Sequence, residues 1–187
     1  MNNKKINNFS ASRAILASLW KLKESSREHL LSYKYIKLLC PAKHRTTYRT
    51  CIFRLCRSGF VKKDYNNILV LAKKGEEESL FSFIEAELSL FKQENQKWDG
   101  GWRIILFDIP ENKRKYRDYL RKVIKNVGFY KLQKSIWVYP YPVPGFLKEL
   151  IFQDNIKPHI RFITTNLVDD DGDLKKIFGL LSGGRSS

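Results

Sequence analysis

The sequence of 187 residues predicts an α+β protein in two modules, helices with a β-hairpin first and a βαββαβ unit after it. Three observations carry this. Helical spacing of apolar residues recurs before Gly59 and then gives way to two short β-rich stretches. A polar segment ending in two glycines, Gln93 to Gly101, divides the chain. Beyond it, apolar runs of strand length alternate with amphipathic helical patterns. The length is comfortable for two modules, each near the lower size limit for an independent core.

In the first module, Ile15, Leu19 and Leu22 stand at i, i+4 and i+7, so Ser12 to Lys23 reads as a helix with Ser10 or Ser12 as its N-cap. A second short helix fits Leu31 to Leu39, stopped by Pro41. From Arg45 the helical period returns, with Tyr48, Cys51, Ile52 and Leu55 on one face and Gly59 as the stop. Phe60-Val61 and Ile68 to Leu71 then flank Asp64-Tyr65-Asn66-Asn67, whose composition suits a tight turn. Three helices followed by a hairpin is the winged helix-turn-helix order, and it assigns residues 1–75 to that module. Glu76 to Gln96 reads as a further helix with Leu80, Phe83, Ile84, Leu88 and Phe91 on its apolar side. Residues 76–97 are therefore expected to be a connecting helix and linker, or a dimer contact.

Residues 98–187 form the second module. Arg103 to Phe107 is a strand ending in Asp108-Ile109-Pro110, and Lys113 to Val127 an amphipathic helix with Tyr116, Leu120, Val123 and Val127 inward, closed by Gly128. Phe129 to Tyr139 reads as a strand or hairpin, Phe146 to Phe152 as a short helix and Ile160 to Thr164 as the last strand. That order is βαββαβ, the ferredoxin-like pattern.

Lysine and arginine number 35 against 19 acids, a net charge of +16, while 43% hydrophobic residues with 13% aromatics mark a folded chain rather than a disordered polycation. Both modules share the excess: 19 basic against 9 acidic residues before Trp98, and 16 against 10 from it onward. Such a charge asks for an anionic partner, nucleic acid or an acidic membrane surface. No apolar run approaches transmembrane length and no helix carries a large greasy face, so no membrane is expected. The N-terminus has a basic start without an apolar signal core, so a mature, cytoplasmic protein is expected. Cys40, Cys51 and Cys56 form no CxxC pair, and His29, His44 and His159 are scattered, so free thiols are expected rather than a zinc site. No dinucleotide, P-loop, HExxH or GxSxG motif occurs, and no cofactor is expected.

The helix beginning at Arg45 supplies the candidate site. With its apolar face inward, Thr46, Thr50, Phe53 and Arg57 lie opposite, flanked by Arg45, Arg49 and Arg54, and Lys62 and Lys63 follow on the hairpin. A face of Thr and Arg can reach phosphates and base edges in the major groove of double-stranded DNA. Phe53 on that face asks for a partner of its own, a thymine methyl or a dimer contact.

RTTYRTCIFRLCRSGFV and the following ILVLAKKG resemble the winged-helix domain of the phenylacetate-degradation repressor (PaaX) family. A sharper resemblance follows. Trp98-Asp99-Gly100, Phe107-Asp108-Ile109-Pro110, the Lys/Arg-rich helix, Gly128-Phe129, and Gln133-Lys134-Ser135 running into Trp137-Val138-Tyr139-Pro140 are similar to the central domain of the same family. Its fold resembles the small ferredoxin-like CRISPR spacer-acquisition subunit. Full-length repressors of this type continue into a third domain, so the resemblance implies a reduced, two-domain relative; no small-molecule effector is assigned. It also implies a transcriptional regulator, a repressor, reading duplex DNA with the winged helix and forming a homodimer through the ferredoxin-like domain.

Asp108 carries the rival expectation. In the CRISPR subunit an aspartate at the end of the first strand is associated with a divalent metal, so the resemblance admits a Mg- or Mn-dependent endodeoxyribonuclease or endoribonuclease, or a CRISPR adaptation component, using Asp108. Hard-cation sites usually need two or more carboxylates, and Glu111 is the only acid nearby. The plainer expectation is that Asp108 caps the following turn, as the run Asp169 to Asp173 is expected to cap a last helix. The seven basic residues of Lys113 to Lys125, with Lys131 and Lys134, suit a solvated face and a DNA-backbone contact equally.

Overall fold

The computed structural model describes residues 10–24, 45–64, 69–91 and 96–180, and the chain divides into two compact units, Met1–Phe91 and Lys92–Ser187.

In the first unit, α1 (Ala11–Glu24) starts where Ser10 Oγ accepts the Arg13 N–H at 3.3 Å, the expected N-cap. Its Ile15, Leu16, Leu19 and Trp20 are buried. The helix expected over Leu31 to Leu39 lies outside the described residues. Next comes α2 (Arg45–Arg57), which ends at Gly59 with φ +73°. There the Phe60 N–H reaches Leu55 O and the Gly59 N–H reaches Cys56 O, both at 3.0 Å, so the left-handed glycine satisfies two orphan carbonyls. The chain enters a hairpin of β1 (Val61–Lys63) and β2 (Leu69–Leu71), paired Val61 with Leu71 and Lys63 with Leu69. The turn tip at 65–68 is outside the described residues.

The long helix, α3, spans Lys73–Leu90 rather than Glu76 to Gln96. It packs along α1 inside the first unit, the partner for the apolar side that had been expected to face a second module or a dimer mate. Ala14, Ile15, Leu19, Tyr48, Leu55, Val61 and Ala86 meet in one core. Three ion pairs between α1 and α3, Arg13–Glu85, Lys21–Glu87 and Lys23–Glu76, rim that seam at 2.9–3.1 Å. Each is partly solvated and worth at most about 1 kcal/mol, so the seam rests on its apolar contacts.

The second unit runs β3 (Trp102–Phe107), α4 (Arg114–Val127), β4 (Tyr130–Gln133), β5 (Ile136–Tyr139), α5 (Gly145–Ile151), β6 (Ile160–Thr165) and α6 (Gly172–Ile177). The sheet is antiparallel throughout, in the order β4-β5-β3-β6. This is the ferredoxin-like βαββαβ arrangement read from the sequence. Alternation along β3 sends Ile105 and Phe107 to one face, where Leu120, Val123, Ile124 and Val127 of α4 and Leu147 and Leu150 of α5 are buried. Trp102 and Ile104 go to the other, with Val138, where Leu174 and Phe178 around α6 close over one end beside Trp98. Gly128 at φ +105° ends α4, its N–H and that of Phe129 returning to the Ile124 carbonyl.

Pro140 and Pro142 follow the strand over Ser135 to Tyr139, a position common at sheet edges, but β5 is interior, paired with β4 on one side and β3 on the other. The prolines lie beyond its last residue and interrupt no ladder, and the true edges are β4 and β6.

Candidate nucleic-acid interface

Two faces of α2 separate cleanly. Tyr48 and Leu55 are buried, Cys51 and Ile52 half-buried, and Arg49, Thr50, Phe53, Arg54 and Arg57 exposed. Phe53 is 66% exposed. No acidic residue occurs within α2, so its outward face is positive along its length. Arg45 and Thr46 belong to the first turn of α2, but their side chains lie outside the described residues.

The hairpin sits directly after α2, with Val61 buried and Lys62 and Lys63 exposed. Successive strand residues point to opposite sides, so the two lysines present charge on both faces of β1. Two contacts missed from the sequence fix the joint between α2, hairpin and α3. Lys74 Nζ donates to Ser58 O at 3.0 Å and stands over the Phe60 ring at 5.0 Å, laying a cation on the C-terminal end of α2. Gly75 lies so close to Phe60 that a Cβ there would stand 2.0 Å from its carbonyl oxygen. Both belong to the Lys73-Lys74-Gly75 run, whose sequence signal is only "end of a strand".

In the second unit the conspicuous contacts gather at its entrance. Arg103, 9% exposed, donates to Gly101 O and Pro140 O at 2.8 Å each and pairs with the Asp99 carboxylate. The Gly101 N–H donates to Asp99 Oδ1 at 3.0 Å, and Trp98 Nε1 donates to Gly101 O at 3.1 Å. The Arg103 guanidinium first, and the Gly101 N–H second, hold the Asp99 carboxyl well below the usual range. Tyr139 donates to Gln96 Oε1 at 2.8 Å; its burial first, with Tyr141 beside it, pushes the phenol up to about 12. The Trp-Asp-Gly sequence is thus a clasp between the entering chain and β5.

Asp171 does not cap α6 with its side chain, although it occupies the N-cap position. Its carboxylate instead accepts from Lys175 Nζ at 2.7 Å and Trp102 Nε1 at 3.2 Å, which lower its pKa and tie α6 to the sheet.

Asp108 is exposed at the end of β3, and its N–H donates to His159 O at 2.9 Å. The turn after it starts at Pro110 without a side-chain cap, so the capping expectation is not met. Glu111 is engaged by Arg117 at 2.8 Å and Arg114 at 3.5 Å. Lys113 and His159 meet nearby at 3.2 Å, a pairing across 46 residues that the sequence did not suggest. Among the described residues, no group of three His, Cys, Asp or Glu is placed to hold a metal ion. Along α4, Arg114 and Arg121 pair with Asp118 at 3.3 and 3.6 Å, and Arg121 also stands over Phe107. Local acids therefore share several charges of this helix, unlike the acid-free α2.

The second unit is by topology a ferredoxin-like domain with an added C-terminal helix. Residues 95–177 match the family model of the PaaX protein central Cas2-like domain. Among solved structures, uncharacterized protein Rv0674 from Mycobacterium tuberculosis is similar over 90% of this chain and 66% of its own, with 14% identity and a TM-score of 0.35. This chain thus spans just under two thirds of that protein. Comparison with curated proteins gave no match. Among the described residues, no helix is long and apolar enough to cross a membrane.

Proposed function

We propose that this protein is a DNA-binding transcriptional regulator, a repressor acting in the cytoplasm, with α2 as recognition helix and the β1–β2 hairpin as wing. The observation that carries the reading is the acid-free outward face of α2, where Arg49, Arg54 and Arg57 surround Thr50 and Phe53 over a buried apolar face. Such a helix offers charge to phosphates and side chains of the right reach to base edges. The family of the second unit supports the same reading. The test is selection of duplexes from a randomised library. Wild type should enrich a sequence motif, and the triple variant Arg49→Ala, Arg54→Ala, Arg57→Ala should enrich none; absence of enrichment by wild type refutes the reading.

The regulator is proposed to work as a homodimer through its second unit, which would place two recognition helices on two half-sites. The support is the sheet face opposite α4 and α5. Beside and beyond the end covered by α6 it keeps Ile163 45% exposed and Leu106 and Ile136 only half-buried, with Arg161 opposite Leu106, a partly apolar surface of the kind that interfaces use. In sedimentation, the full wild-type chain should be a dimer and Ile163→Asp a monomer of unchanged helix content. A monomeric wild type rejects this arrangement.

A further inference from the structure

We infer that Phe53 reads the 5-methyl group of thymine, so that the duplex this protein prefers carries thymine at a fixed place against the middle of α2. This rests on the reading of α2 as the DNA-facing helix and deepens it.

Among the described residues of the first unit, Phe53 is the one large apolar side chain left exposed, at 66%. The core of that unit does not use it. It lies centrally on the outward face, with Arg49 and Thr50 one turn before it, Arg57 one turn after and Arg54 beside it. Two occupants could cover such a ring, and the surrounding charge chooses between them. A second copy docking on Phe53 would set these arginines against their own kind, with no carboxylate in α2 to offset them, at separations well inside the Debye length of about 8 Å at physiological salt. A major groove presents the opposite arrangement: anionic walls for the arginines, and on its floor one apolar group, the thymine methyl. An aromatic ring amid cations is complementary to that surface.

Uracil presents the same donors and acceptors as thymine and lacks only the methyl, so replacing it isolates the contact. The probe is the duplex that wild type selects from a randomised library, synthesised once with thymine and once with deoxyuridine. Wild type should bind the deoxyuridine duplex about fourfold more weakly per methyl contacted. Phe53→Ala should bind the thymine duplex more weakly than wild type and treat the two duplexes alike. Its melting should match wild type, since the ring is not part of the core. Equal binding of both duplexes by wild type overturns the inference while leaving duplex recognition standing. Discrimination that persists in Phe53→Ala overturns it too, because another residue then reads the methyl. Loss of self-association in Phe53→Ala without DNA assigns the ring to a second copy and refutes it. Failure of wild type to bind any duplex removes the underlying reading and the inference with it.

Discussion

Salt is the sharpest probe of the proposed interface because its effect can be computed from the exposed cations. The described residues of α2 and the hairpin present Arg49, Arg54, Arg57, Lys62 and Lys63 to solvent. If each neutralises one phosphate, log K should fall against log salt with a slope of about −4.5 per protomer. Between 50 and 200 mM salt, that slope lowers affinity about 500-fold. Fluorescence anisotropy of a labelled duplex across a KCl series measures it directly. Lys63→Ala should reduce the slope by about 0.9 on every sequence, as expected of a phosphate contact. Arg49→Ala should in addition relax sequence preference, if it reaches a base edge. A wild-type slope shallower than about −2 would mean that most of these cations do not meet phosphate, and the assignment of α2 as the binding face would fall.

Three further outcomes test the framework around that face. Asp99→Asn should destabilise the second unit by about 1–2 kcal/mol near neutral pH, a figure at the low end for a charge-assisted pair because the Asp99 side chain is half-exposed. Asp99 has a depressed folded-state pKa, so its contribution is present above the unfolded value near 3.9 and is lost as pH falls below it toward the folded value. Urea unfolding followed by tryptophan fluorescence should therefore show the gap between wild type and variant closing below about pH 4, and a gap independent of pH would contradict the clasp. Gly75→Ala, forced against the Phe60 carbonyl, should cost about 2–3 kcal/mol and lower the melting temperature of the first unit by about 10 °C or more; an unchanged melt would show that the α3 start yields freely. Asp108→Asn should leave duplex affinity within about threefold of wild type, since a lone exposed carboxylate near phosphate adds little attraction, whereas Mn²⁺- or Mg²⁺-dependent cleavage by wild type that disappears in this variant would make regulation an incomplete account.

How much of this was legible in the sequence depended on the range of the forces involved. The strand Trp102–Phe107, the helix Arg114–Val127 with its Gly128 stop and the two-faced Arg45–Arg57 helix follow from periodicity and caps, which act over a few residues. The partner of an apolar face is not local information. The stripe on Lys73–Leu90 has the same pattern whether it meets another module or folds back on α1, and only the structure decides for α1. Nor can prolines after a strand show which neighbours flank it, so β5 carries edge-like sequence while lying inside the sheet. The clasp shows most clearly why local reading stops where it does. Asp99 and Arg103 are four residues apart, yet they meet across a left-handed turn at Gly100, with the same guanidinium donating to the Pro140 carbonyl just past β5. The Trp-Asp-Gly signal is therefore visible early, but the Arg103 that pairs with its aspartate is also held by a carbonyl 37 residues further along. Because that contact couples the entering chain to β5, the pH response of Asp99→Asn should report on the folded sheet and vanish in the unfolded chain, where Asp99 titrates as an ordinary carboxylate.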